Sequence, residues 1–137
     1  MADEAGLFRS GAERFGMLDG QALRAVRLVV DTGLHAFGWS REKAFETMVA
    51  AGIHPTDASS ETDRYIAWPG QALSYYLGEM AIWDARHKAE AALGPRFNIR
   101  AFHDTVLQLG SVPLPVLTAR IDRFLAEGGK GPYPDLE

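Results

Sequence analysis

Glycines and prolines divide this chain into runs that suit helices and little else. From Asp19, a good N-cap, the stretch Gln21 to Phe37 contains no proline and is dense in helix-compatible residues; Gly38 is placed to end it. Ser40 caps a short helix from Arg41 to Ala51, which Gly52 stops. His54 to Ser60, rich in Pro, Thr, Asp and Ser, reads as a loop from which Ser59 or Ser60 starts a helix running to Trp68. At Pro69 either a new helix begins or the old one kinks sharply, and the fitness of proline for the first helical position favours a new helix through Leu93. Gly94 and Pro95 close it, Asn98 caps Ile99 to Leu109, Gly110 closes that segment, and Pro113 and Pro115 open a last helix to about Ala126. No segment alternates as a strand would, so the expected fold is all-α, a compact bundle of about five helices.

Three segments are expected along the chain. Residues 1–18, with Leu7, Phe8, Phe15 and Met17 scattered among glycines and charges, form an arm that docks a few apolar groups; 19–127 is the helical domain; 128–137, with three Gly and two Pro, is a flexible tail. A length of 137 residues suits one core. The net charge of −4, without any basic run, argues against nucleic-acid binding, which needs clustered Lys and Arg. No cysteine is present, so thiolate nucleophiles and Cys-ligated zinc are excluded. The acidic start, Met-Ala-Asp-Glu, does not resemble a signal peptide, and no run approaches the roughly 18 apolar residues of a membrane span, so a cytoplasmic protein without membrane partners is expected.

Two features could carry chemistry. Arg24, Arg27, Asp31 and His35 follow one another at spacings of 3, 4 and 4, which puts them on one helix face. Leu23, Val26, Val29, Val30, Gly33, Leu34 and Phe37 lie opposite as a core side. Such a ladder can pair Arg27 with Asp31 and Asp31 with His35. An ordinary solvated face looks the same, but mid-helix Gly33 costs about 1 kcal/mol and signals close approach by another element. The second feature is Arg64-Tyr65-Ile66-Ala67-Trp68-Pro69-Gly70-Gln71-Ala72-Leu73-Ser74-Tyr75, where a helix start at Pro69 would aim free N–H groups outward and Tyr75 would offer a hydroxyl one turn deeper. Against this, Trp68, Tyr75, Tyr76 and Trp83 also suit core aromatics. No His-Glu-x-x-His helix or Gly-x-Ser-x-Gly elbow occurs, and Glu42, Glu46, Glu61, Asp63 and Glu79 read as capping or solvated charges.

Three stretches together resemble a known family: Arg27 to His35 running on to Gly38-Trp39-Ser40; Arg64-Tyr65 with Pro69-Gly70-Gln71-Ala72-Leu73-Ser74-Tyr75; and Phe102-His103-Asp104 followed by Gly110 and Pro113-Leu114. The pattern is similar to the C-terminal end of the bacterial domain of unknown function 885 family, whose members resemble zinc metallopeptidases, and it spans about Phe15 to Phe124. Asn98 stands where an Asp is usual, and Tyr76 where a Lys is usual. The resemblance implies part of a larger zincin-like helical fold whose zinc helix lies upstream of this region. It implies that Asp31, Arg64, Gln71 and Arg27 bind substrate in a peptide cleft, that Tyr75 and His35 stabilise an oxyanion, and that zinc belongs only to the full-length protein. This chain is then expected to be inactive alone and to pair with a second copy or with a complementary metallopeptidase-like chain. The competing expectation is a non-catalytic helical module that binds a peptide or serves as a scaffold.

Overall fold

In the computed structural model, residues 3–133 are described, and they contain six α-helices with no strand. The helices are α1 (Gly11–Phe37), α2 (Arg41–Ala50), α3 (Pro55–Ala67), α4 (Leu73–Leu93), α5 (Ile99–Leu107) and α6 (Leu114–Ala126), with a 3₁₀ turn at Gly94–Arg96. The all-α expectation of about five helices holds, and the six helices follow in order the six segments that the glycines and prolines divide off. Residues 134–137 of the expected tail lie outside the described residues; within it, Gly129 is buried against Leu93, where a Cβ would stand 2.7 Å from Leu93 Cδ1.

Several boundaries follow the expected caps. Ser40 accepts the Lys43 N–H, Asn98 accepts those of Arg100 and Ala101, and Gly38 ends α1 in the left-handed conformation at φ 64°. Three boundaries differ. Helix α1 begins at Gly11 and not after Asp19, because Ser10 and Glu13 form a reciprocal capping box: the Ser10 hydroxyl accepts the Glu13 N–H, and the Glu13 carboxylate accepts the Ser10 N–H. Helix α3 begins at Pro55 within the expected loop; proline occupies the first turn and the His54 ring accepts the Thr56 N–H. No helix begins at Pro69. Residues 68–72 form turns, Gly70 takes φ 78°, and α4 starts only at Leu73.

The chain divides into two compact units, Met1–Leu77 and Gly78–Glu137, each with its own core. In the first, Val26 and Val30 of α1 pack with Ala44 and Met48 of α2, with Ala58 and Tyr65 of α3, and with Ile53 and Ala72 of the connections. Val29 and Phe37, expected on the core side of α1, are 52% and 73% exposed, since the buried arc is centred on Val26, Val30 and Gly33. In the second, Ala89 and Leu93 pack with Ala101, Phe102, Leu117, Ile121 and Phe124, and the rings of Phe102 and Phe124 meet edge to face at 6.4 Å.

Candidate functional site

The polar face of α1 runs from buried Asp31 to exposed His35 and pairs outside its own helix. Arg27, Asp31 and His35 each reach across to another segment of the first unit. Arg27 Nε donates to the Tyr65 hydroxyl at 2.9 Å and its Nη2 to Glu61 Oε2 at 2.8 Å. Asp31, 2% exposed, accepts the Gly70 N–H with both carboxylate oxygens, at 3.0 and 3.2 Å. His35 Nε2 lies 2.9 Å from the Tyr65 carbonyl oxygen, which can only accept, so Nε2 carries the proton. The rungs expected within α1, Arg27 to Asp31 and Asp31 to His35, are replaced by contacts to α3 and to the turn before α4. Gly33 does mark a close approach: a Cβ there would stand 2.5 Å from two atoms of the Trp39 ring. The approaching group belongs to the protein's own next loop.

Glu61 is the hub. Its Oε2 accepts from Arg27, from Arg64 Nη2 at 2.8 Å and from the Tyr65 hydroxyl at 2.6 Å, while Oε1 accepts from Arg64 Nε at 3.1 Å. Burial acts against its charge, yet the bonds from Arg64, Tyr65 and Arg27 outweigh it and hold the carboxyl down at about 2. Burial, and then the anionic partner Glu61, push the Tyr65 phenol up to about 12. The Arg27 guanidinium is desolvated, but its bonds to Tyr65 and Glu61 raise its pKa all the same. Two guanidinium groups thus share one carboxylate. The sequence expectation of Glu61 as a capping or solvated charge, with no role for Tyr65, gives way here: the spacing Glu61-x-x-Arg64-Tyr65 places them on one face once α3 extends back to Pro55.

From this hub a chain of hydrogen bonds leads outward. Arg64 Nη1 donates to Gln71 Oε1 at 2.5 Å, and Gln71 Nε2 donates to the Tyr75 hydroxyl oxygen at 3.2 Å. Arginine can only donate, which fixes the orientation of the Gln71 amide and makes Tyr75 the acceptor of the last bond. Arg27 Cζ lies 4.8 Å from the Tyr75 ring centroid. The bond from Gln71, with smaller contributions from Arg64 and Arg27, lowers the phenol's pKa. Tyr75 is 45% exposed and is therefore no core residue, and Trp68 is 60% exposed. The structure brings Arg27, Arg64, Gln71 and Tyr75 into one linked group. Asp31 supports it through Gly70, and His35 is joined to it only through the Tyr65 backbone. No helix starts at Pro69 and the Gly70 N–H is taken by Asp31, so an oxyanion hole built from a helix start at Pro69 is not formed.

The zinc implied by the resemblance finds no ligand set here. Among the described residues no three His, Asp or Glu side chains converge to hold a metal ion, and Asp31, Glu61 and His35 are each bonded elsewhere.

An all-α chain whose first unit encloses an Arg–Glu–Arg–Tyr network, ending on an exposed tyrosine, is a class that its relatives make specific. The model of the family described as bacterial protein of unknown function, DUF885, matches residues 1–121, and the chain belongs to that family. The crystal structure of the "putative lipoprotein" from Colwellia psychrerythraea is similar at a TM-score of 0.86 and 42% identity, over 92% of this chain and 22% of that one. This chain thus spans about a fifth of that neighbour's length. No curated protein matches. No helix of the described residues is long and apolar enough to cross a membrane.

Proposed function

We propose that this chain is the C-terminal helical portion of a hydrolase resembling zinc metallopeptidases, and that it contributes Tyr75 to the wall of a substrate cleft completed by other parts of a longer protein. The observation that carries the reading is the relay from Arg64 through Gln71 to Tyr75. Its phenol oxygen accepts from Gln71, so its own O–H is left to donate, and two nearby guanidinium groups favour negative charge at that hydroxyl. A donor of this kind suits a carboxylate or a developing oxyanion. Arg27, Arg64 and Gln71 act through Tyr75. Asp31 holds the turn that carries Gln71, and His35, with its Nε2–H spent on Tyr65, positions α3 and is not an oxyanion donor in this reading. A metal held by the rest of the longer protein would supply Lewis acidity and an activated water; the residues of this chain bind and orient.

The same reading makes the partner a second copy of the chain or a complementary metallopeptidase-like chain. Cytoplasmic residence belongs to it too, with the neighbour's description as a lipoprotein supplying the alternative, and cell fractionation decides between them. A non-catalytic binding or scaffold module is the second reading.

The test is a short peptide with a free carboxylate, titrated into the purified chain while the Gln71 side-chain amide is followed by NMR, together with a hydrolysis assay with and without zinc. Saturable shifts at Gln71, weakened about tenfold in Tyr75→Phe, and no turnover by the chain alone are expected. Zinc-dependent turnover by the chain alone, or binding unchanged in Tyr75→Phe, would overturn the reading.

A further inference from the structure

Helix α1 has a third face, distinct from the side that packs into the first unit's core and from the side that reaches Glu61, Tyr65 and Gly70. Phe15, Leu18, Ala22, Ala25, Val29, Thr32 and Ala36 follow one another at alternating spacings of 3 and 4, the repeat that keeps one seam of a helix against a neighbouring helix. None is charged, and the seam runs for about 32 Å. Its large members are open: Phe15 is 71% exposed, Leu18 55% and Val29 52%. Ala22 and Ala36 are also exposed, and their small side chains leave room for a second backbone to come near.

The first turns of α1 add a second observation. From Gly11 to Asp19 every residue but Met17 is exposed, and Gly11 and Gly16 lie in this stretch. A projecting helical segment with two glycines is weak on its own propensity. At its end, Arg14 and Asp19 flank the seam five residues apart, the separation at which flanking charges of two parallel, in-register helices meet. Both are exposed; Arg14 pairs within the chain with Asp3 at 3.1 Å, a solvent-open contact worth little, and pairing of two copies would exchange it for Asp19 of the other copy, twice by symmetry.

We infer that this face is the contact between two copies of the chain, paired in parallel along α1. The seam is self-complementary in charge and in spacing, and pairing supplies the packing that the exposed start of α1 lacks. The inference rests on the second-copy partner of the proposed function and chooses its surface; because it is argued from α1 and not from Tyr75, a single-chain mass would remove that partner and leave the peptide-binding test of Tyr75 untouched.

Light scattering on the purified chain tests it. A mass twice the 15.0 kDa of one chain is expected at micromolar concentration and above, falling to the single-chain value in Val29→Glu, which puts a charge in the seam at an already exposed position. Ala92→Glu, on an exposed site of α4, should leave the mass doubled, and circular dichroism checks that both variants keep their helices. In a chain without native cysteine, Ala22→Cys should form an intermolecular disulfide on oxidation, because a parallel seam sets position 22 against itself. A single-chain mass at all concentrations would overturn the inference and leave the face to the remainder of a longer family chain. A dimer that survives Val29→Glu, or one that Ala22→Cys does not crosslink, would overturn it as well.

Discussion

Asp31 and Gly70, thirty-nine residues apart, are joined by a carboxylate that accepts one backbone N–H at 3.0 and 3.2 Å. The bond ties the middle of α1 to the turn preceding α4, and Gln71 is the next residue of that turn. Gly70 is itself exposed, so water takes over its freed N–H and Asp31→Ala should cost no more than the lost bond to a charged acceptor, on the order of 1.5–3 kcal/mol. Asp31→Asn keeps one acceptor oxygen and should cost about half as much. Urea denaturation gives the stabilities, and amide exchange at Gly70 shows whether the turn opens: it should quicken in Asp31→Ala well beyond the loss expected from global stability alone.

Glu61 predicts an acid limb. Its carboxyl is held at about 2 in the folded protein, below the ordinary value of 4.5, so the unfolded chain takes up its proton first as the pH drops. The stability it contributes is complete above about pH 5 and is lost as the pH falls through the folded value near 2, on the order of 3 kcal/mol in all. Tyr65 works at the other end. Its raised phenol, about 12 against 10, contributes stability that is present below pH 10 and disappears as the pH rises through 12. Glu61→Gln should flatten the acid limb and lower stability at neutral pH, because the largely covered Arg27 is left beside a weaker acceptor. Unfolding free energies measured from pH 2 to pH 7 check both effects; an acid limb equally steep in Glu61→Gln would assign it to other carboxylates.

Much of this was legible in the residues themselves. The face shared by Arg27, Asp31 and His35 follows from helix geometry. Its partners were not legible, because spacing along one helix ranks neighbours on that helix, while the real partners come from α3 and from a turn. The hub was missed for a local reason. With α3 taken to begin near Ser60, Glu61 sits in the first turn and looks like a dipole charge. With α3 beginning at Pro55, it lies in mid-helix opposite Arg27. Val29 and Phe37 show the same limit in apolar form: a helical stripe can be apolar over more than the arc that one core covers.

Gly33 was expected to mark contact, and the contact is steric. Alanine at this position would gain about 1 kcal/mol of helix propensity, but its Cβ would overlap the Trp39 ring at 2.5 Å. The ring cannot clear a methyl group without leaving the α1–α2 corner, so Gly33→Ala should be destabilising by roughly 1–3 kcal/mol despite the propensity gain. Truncating the obstacle should reverse the sign: in a Trp39→Ala background, Gly33→Ala should be neutral or stabilising. This coupling is read directly from a double-mutant cycle by thermal or urea unfolding, and additive effects would mean that the ring moves aside freely.

Tyr75 separates stability from function. The hydroxyl accepts one exposed bond from Gln71, and the ring lies open over Arg27, so Tyr75→Phe keeps the ring stack and loses only a solvated hydrogen bond. Its unfolding free energy should stay within about 0.5 kcal/mol of the parent. Gln71→Ala breaks the relay one step earlier, and it should return the Tyr75 phenol toward its ordinary titration range, which lies higher. That upward move is visible in the pH dependence of the tyrosinate absorbance, with Tyr75→Phe identifying the residue responsible. If the tyrosine titration of Gln71→Ala matches that of the parent, Arg64 and Gln71 do not polarise the hydroxyl, and Tyr75 is then an ordinary exposed tyrosine with no special claim on negative charge.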